Sequence, residues 1–252
     1  MSIIKCVVPI SGGKDSQACL QLALQSFSQS EVIALFCDTG FEHPLTYAHI
    51  KTIKDLYGIE VVVRSGGEVL DRCKRWGRFP GGGARFCTSE LKIDVSKDFY
   101  KELAEKQEQG FEVWYGMRSG ESHERATRYE NKISDDLYAP HEIMPSNYPQ
   151  YLGRLGVMFR LPILSWTVDQ VLMFLDGKEN PLYAAGFDRV GCFPCLAGGD
   201  VSKERAFQFD DFGREQYIRV LQVSEEIGKD IFTSKGGSQR NNPDQLCMIC
   251  TI

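Results

Sequence analysis

The sequence predicts an α/β protein built on a doubly wound, mainly parallel sheet, with a small cysteine-rich helical lobe at its C-terminal end. Three observations predict this architecture. Apolar runs alternate with amphipathic ones through the first third of the chain. A glycine pair, Gly12-Gly13, stands where the first apolar run hands over to the first amphipathic one. Two C-x-x-C units, Cys192-Phe-Pro-Cys195 and Cys247-Met-Ile-Cys250, flank a charged helical stretch near the end. On this reading residues 1–180 form the sheet domain and residues 181–252 the cysteine-rich lobe.

Each element has a local reason. The run IIKCVVPI is continuous and apolar, as a strand buried on both faces is. Residues 15–28 set Cys19, Leu22, Ala23 and Phe27 at helical spacing. EVIALFC reads as a second strand. HPLTYAHIKTIKDLYG reads as a second helix, with Pro44 suited to its first turn and Gly58 to its stop. IEVVVRS is a third strand, and the β-α-β-α-β order predicts a parallel sheet with helices on both faces. Residues 66–89, rich in glycine, arginine and cysteine, read as loop. Residues 90–108 read as helix, FEVWYGM as a fourth strand and VMFRLPI as a fifth. Residues 134–156 hold Pro140, Pro145 and Pro149 without a clear period and read as irregular. TVDQVLMFLDG reads as a short helix capped by Thr167, and residues 201–227 as a longer one.

The bulk numbers bound the function. The chain has 252 residues, 42% hydrophobic and 25% charged, which is ordinary for a globular protein. No run approaches the length of a membrane span. The opening MSIIKCVVPI passes into the glycine pair without a cleavage region, so a cytoplasmic protein is expected. A net charge of −5 argues against a nonspecific nucleic-acid coat. It leaves room for a local basic groove, for which Arg72, Lys74, Arg75, Arg78, Arg85 and Lys92 are the candidates.

The corner Ile10-Ser-Gly-Gly-Lys-Asp-Ser16 carries the first chemical signal. Glycines let the backbone turn sharply and approach a ligand. The free amides and dipole of the following helix favour an anion. Ser11 and Ser16 add hydroxyl donors and Lys14 a full charge, and all but Asp15 point to phosphate.

The corner is not a Walker A loop, whose G-x-x-x-x-G-K-S/T spacing is absent. It resembles the S-G-G-x-D-S pyrophosphate loop (PP-loop) of the N-type ATP pyrophosphatases. Further stretches resemble the phosphoadenosine phosphosulfate (PAPS) reductase-like branch of that superfamily: FCDTGFEHPLTYAHI, ARFCTSELK, YGMRSGESHERA, LPILSWTVDQVLMFL and NPLYAAGFDRVGCFPC. The resemblance implies an adenine nucleotide alpha hydrolase-like fold that binds ATP and magnesium and cleaves between the α and β phosphates. It implies that Ser11, Gly12, Gly13 and Ser16 cradle pyrophosphate, with Asp38, Thr39 and Gly116 also at the nucleotide. Lys14, Asp15 and Arg118 become the catalytic candidates, Asp15 organising the loop or a magnesium ion. Arg85, Cys87, Thr88, Lys92, Glu121 and Arg125 become the substrate candidates. From the residues alone, Arg118, Glu121, Glu124 and Arg125 equally fit a surface ion-pair cluster, worth little to stability.

Nine cysteines are many for an intracellular chain. Cys6 and Cys19 sit in apolar runs and read as core. The two C-x-x-C units supply four thiolates, Cys192, Cys195, Cys247 and Cys250, the number a zinc or a 4Fe-4S centre takes. A redox dithiol is the alternative. The resemblance favours the 4Fe-4S cluster, with zinc as runner-up.

These signals converge on ATP-dependent adenylation of an acceptor, with pyrophosphate release and sulfur transfer. The closest resemblance is to phosphorothioation-type members that combine the loop with paired cysteines. A sulfate adenylyltransferase or PAPS reductase is the alternative within the superfamily. A non-catalytic nucleotide-binding subunit of a larger assembly is the alternative outside enzymes. The expected partners are ATP, a sulfur donor such as a cysteine desulfurase, and an acceptor left open among DNA, tRNA, sulfate and a small metabolite.

Overall fold

The computed structural model describes residues 2–81 and 84–232. Five strands form one sheet: β1 (Cys6–Ile10), β2 (Val32–Asp38), β3 (Glu60–Ser65), β4 (Glu112–Trp114) and β5 (Met158–Arg160). Every neighbouring pair is parallel, and the order across the sheet is β3-β2-β1-β4-β5. The chain therefore winds outward from β1 to β3, then returns to the other side of β1. The loops after β1 and after β4 diverge at that reversal, and the crevice between them is where open α/β sheets bind ligands.

Period-two alternation explains why the central strands read as continuous apolar runs. Val7, Ile33, Leu35 and Cys37 join one buried cluster, while Cys6, Val8, Ile10, Val32, Ala34 and Phe36 join the other. One face is covered by α1 (Lys14–Ser26), α2 (Pro44–Tyr57) and α9 (Val168–Leu175). The opposite face is covered by α5 (Asp94–Gln107), α7 (Pro140–Ile143) and α8 (Gln150–Arg154). Between them in chain order lie α3 (Val69–Trp76), α4 (Phe86–Thr88), which runs into α5 through a π-helical turn, and α6 (His123–Arg128). No helix among the described residues is long and apolar enough to cross a membrane.

The expected caps are present. Pro44 opens α2, and Gly58 closes it in the left-handed region at φ 63°. The Thr167 hydroxyl accepts the Gln170 amide at the start of α9. His43, expected as a helix-start residue, caps α2 with Nδ1, which accepts the Leu45 amide at 3.1 Å.

The structure departs from the sequence reading in three places, the first being residues 134–156, which read as irregular and hold α7 and α8. Residues 66–89 are not all loop, because α3 lies within them. Its eight residues are too few for a clear period, and charged positions separate Val69, Leu70 and Cys73, which it buries. The single helix expected over residues 201–227 is two, α10 (Asp200–Phe209) and α11 (Asp211–Ile227). Asp210 leaves the helical region between them and caps α11 by accepting the Gly213 amide at 2.8 Å. Neither helix contains a cysteine, and both contribute to a cluster with α3 and Phe41 beyond the sheet edge. Cys192 and Cys195 lie ahead of α10, and Cys247 and Cys250 lie outside the described residues.

Under the sheet, three tyrosine hydroxyls and one serine make a buried chain. Tyr115 contacts Tyr100 at 3.0 Å and Tyr148 at 2.8 Å; Tyr148 contacts Ser96 at 2.8 Å, and Ser96 donates to the Ile93 carbonyl. Removing the Tyr115 hydroxyl deprives Tyr100 of that partner away from water, while Tyr148 keeps Ser96. Tyr115→Phe is expected to lower stability by about 1–3 kcal/mol, read as a fall in the urea midpoint at unchanged slope.

Candidate functional site

Strand β1 ends at Ile10 and the chain bends through Ser11, Gly12 and Gly13 into α1. Gly12 takes φ +76°, and a Cβ there would stand 2.6 Å from Thr46 Cγ2. The position thus demands glycine for both conformation and space. Ser16 holds the bend closed, its hydroxyl donating to the Gly13 carbonyl at 3.0 Å and accepting the Ser11 amide at 3.3 Å. No side chain caps α1 at Gly13. The Lys14 amide instead donates to the Tyr183 hydroxyl at 3.0 Å, reaching across 169 residues of chain. A helix start whose N-cap residue brings no capping side chain favours an anion at its remaining amides.

Asp15 is the electrostatic centre of the corner. Its Oδ2 accepts from Lys14 Nζ at 2.9 Å and its Oδ1 from Arg118 Nε at 2.6 Å. All three side chains are buried. Gly116 makes this geometry possible, since a Cβ there would lie 2.7 Å from the Asp15 carbonyl carbon and the Ser16 nitrogen. The end of β4 therefore rests directly on the first turn of α1 and delivers Arg118 beside it. Behind Arg118, Glu121 Oε2 accepts the Arg118 amide at 3.1 Å and forms an ion pair with Arg125. Arg125 is almost wholly buried, and burial lowers its guanidinium to about 10. This arrangement is not a solvated charge cluster. A cavity of about 440 Å³ opens onto Ser11, Gly13, Lys14, Asp15, Arg118 and Glu121.

A second group of predicted residues gathers on the other side of the β1–β2 edge. Thr39, Arg85, Cys87, Thr88, Lys92, Cys192 and Cys195 line one small cavity. The Thr39 hydroxyl lies 3.4 Å from Cys192 Sγ and donates to Glu42 Oε1 at 2.6 Å. Glu42 is buried, and its carboxylate also accepts the Thr39 and Phe41 amides and the Tyr47 hydroxyl. Burial pushes that carboxyl above the usual range. Burial pulls Lys92 down, but Cys192, Glu42, Cys87 and Cys195 together outweigh it and raise the ammonium above its ordinary value. Burial pushes the Cys192 thiol up to about 12, with Lys92 opposing. Soft thiol donors beside a buried cation fit a thiolate-bound metal or cluster by their chemistry. Among the described residues, no group of three or more His, Cys, Asp or Glu side chains is assembled closely enough to hold a metal ion.

Asp38 belongs to neither cavity. Its Oδ1 accepts the Gly40 amide at 2.9 Å and the Tyr47 hydroxyl at 2.7 Å, so it shapes the turn after β2. The basic groove expected along residues 72–92 is largely neutralised. Glu90 pairs with Arg72 and Arg75, and Lys74 pairs with Glu226. Sequence reasoning missed Glu42 and Tyr183. Glu42 carried a readable signal, an acid two residues after the D-T-G turn, whereas nothing local in NPLYAAG connects Tyr183 to a loop near the N-terminus.

The family model described as phosphoadenosine phosphosulfate reductase domain matches residues 5–197. Among curated proteins, an uncharacterized protein of Methanocaldococcus jannaschii is 30% identical over 194 residues, covering 76% of this chain and 36% of the relative. An uncharacterized 37.8 kDa protein of Escherichia phage 186 is 28% identical over 239 residues, covering 75% of this chain and 66% of the relative. In neither does the chain span two thirds of the relative's length. Among solved structures, the PAPS reductase of Candida auris in its phosphate complex aligns at TM-score 0.48 and 14% identity, covering 75% of this chain and 81% of that one. The U34-tRNA thiolase NcsA of Methanococcus maripaludis, with its 4Fe-4S cluster, aligns at TM-score 0.46 and 14% identity, covering 100% and 82%.

Asp15→Ala would leave Lys14 and Arg118 buried side by side without their shared counter-charge. It is expected to cost about 3–5 kcal/mol, measured by urea unfolding. Millimolar pyrophosphate is expected to restore part of that loss, because an anion bound only by the folded state stabilises it.

Proposed function

The chain belongs to the phosphoadenosine phosphosulfate reductase domain family, and we propose that it uses ATP to adenylate an acceptor, releases pyrophosphate and then transfers sulfur to the activated atom. The observation that carries this reading is the uncapped start of α1, with Lys14 and Arg118 sharing Asp15 at the mouth of a cavity of about 440 Å³. A site for a terminal carboxylate or a lone sulfate needs neither so much room nor two cations held in reserve.

In this reading ATP docks with its β and γ phosphates on residues 11–16. Incoming phosphate oxygens compete with Asp15 for Lys14 and Arg118, and the released carboxylate would hold the accompanying magnesium ion. An acceptor oxygen attacks the α phosphorus. The bond from that phosphorus to the bridging oxygen breaks, and its electron pair leaves with pyrophosphate. Lys14 and Arg118 stabilise the charge that grows on the leaving group, the main task in such transfers. Glu121 keeps Arg118 aimed by accepting its amide. A sulfur nucleophile from a donor such as a cysteine desulfurase then attacks the activated acceptor atom, and AMP departs with the electron pair of the broken bond.

The thiol cavity is the candidate place for that second step. We assign the thiolate-bound centre to the two paired units, with Cys192 and Cys195 beside Lys92 and with Cys247 and Cys250, which lie outside the described residues, completing four thiolates. Bound there, a 4Fe-4S cluster would supply thiolate-held iron and sulfide chemistry; zinc is the runner-up. Thr39 and Glu42 steady the Cys192 side of the site through their hydrogen bonds.

Two measurements test this reading. Lys14→Ala and Arg118→Ala are each expected to slow pyrophosphate release from ATP on the order of 10²–10³-fold; unchanged turnover in both removes the corner from the chemistry. Anaerobically purified protein is expected to be brown and to carry iron and sulfide, and Cys192→Ser and Cys247→Ser each to lose them. Full iron retention by both variants would remove the paired units from the centre. Turnover of PAPS without any use of ATP would favour sulfonucleotide reduction, the activity suggested by the family's name.

A further inference from the structure

The cavity above the glycine corner shares a wall with a neighbouring one, distinct from the small thiol cavity. Phe187, Asp188, Arg189 and Val190 line both the space above the glycine corner and a second cavity of about 200 Å³ that reaches Lys92, Cys192 and Cys195. On one side the Val190 carbonyl oxygen would lie 3.3 Å from a Cβ built on Gly13, so the wall presses against the glycine bend. On the other side the chain runs through Gly191 into Cys192, which bridges to Glu42 in antiparallel fashion. Four residues thus separate the loop that would hold phosphate from the first thiol.

The wall is held firmly. The Phe187 ring meets Phe193 and Phe209 edge-on, with centroids 5.0 Å away in each case. Arg205 lies over the other side of that ring at 4.9 Å and donates to the Ala185 carbonyl at 3.2 Å. A group carried by this segment is therefore presented from a fixed base.

Arg189 is that group. The other cations at the glycine corner are engaged: Lys14 and Arg118 with Asp15, and Arg125 with Glu121. Arg189 makes no hydrogen bond or ion pair with another described residue, its neighbour Asp188 included. It is close enough to add to the burial that lowers Arg125. Burial raises the Tyr183 hydroxyl, and the Arg189 charge is among the influences that pull it back. On the ATP reading residues 11–16 would take two phosphates of a triphosphate, which leaves the third, where bonds are made and broken, to the rest of the cavity that Arg189 also lines. A guanidinium suits that position, since its planar fork binds two oxygens of one phosphate at once.

We propose that Arg189 binds the α phosphate of the nucleotide and keeps hold of it in the adenylated acceptor, so that the acceptor stays at the wall between the phosphate corner and the thiols. This rests on the ATP reading above. It adds to it the residue that distinguishes the phosphate that stays with the acceptor from the two that leave.

Equilibrium binding of two probes, AMP and inorganic pyrophosphate, to the full chain tests it. Arg189→Ala is expected to weaken AMP binding by about tenfold or more, the usual effect of losing a hydrogen bond to a charged group. Pyrophosphate binding is expected to stay within about twofold, because its cations lie elsewhere. Arg189→Lys keeps the charge without the fork and is expected to recover part of the AMP affinity. Arg189 is exposed, so both variants are expected to melt as the parent does. Equal loss for the two probes, or unchanged AMP binding, would overturn the assignment and leave the ATP reading standing. A parent protein that binds neither probe would overturn both.

Discussion

One carboxylate, that of Asp15, ties together the parts of this protein that matter for its chemistry. It sits in the first turn of α1, at the end of the central strand, and holds cations from two sources. Lys14 comes from its own helix and Arg118 from the loop after the neighbouring strand. Burying three charges is costly unless they satisfy one another. The cost is met here by short contacts and by the backbone fit at Gly116. The same arrangement stores positive charge that an anion can claim.

The sheet order explains why these groups meet. β1 and β4 are parallel neighbours although more than a hundred residues separate them, and the order in which strands are added to the sheet reverses between them. The loops leaving the two strands must splay apart, and the opening between them is the cavity above the corner. The second cavity follows from the return of the chain after α9. The segment from Tyr183 to Cys195 crosses the mouth of the sheet, touches the glycine bend on the way and ends at the thiols. The glycine corner and the thiols thus lie on two sides of one segment.

Much of this was legible in the sequence because it is local. Pro44, Gly58 and Thr167 act within a turn of where they stand, and burial on both faces made the central strands β1 and β2 continuous apolar runs. The glycine corner declared itself for the same reason, since its bend, hydroxyls and charge lie within seven residues. What the sequence concealed is long-range. Nothing in the sequence disclosed that the Asp38 carboxylate accepts the Gly40 amide and the Tyr47 hydroxyl. The basic run from Arg72 to Lys92 looked like one groove, yet Glu90 and Glu226 neutralise its outer face while Lys92 turns inward. Cys87 stood alone in sequence and was grouped with substrate contacts; only folding brings it to the Cys192-Cys195 pair. Partners that lie far along the chain leave no periodic mark, so neither pattern nor spacing reveals them.

The most direct measurement is a crystal structure of the protein with magnesium and a non-hydrolysable ATP analogue. The account predicts the β and γ phosphates at the amides of residues 13–16, with Lys14 Nζ and Arg118 turned from Asp15 onto phosphate oxygens. Phosphates bound elsewhere, or nucleotide bound while both cations still grip Asp15, would contradict it.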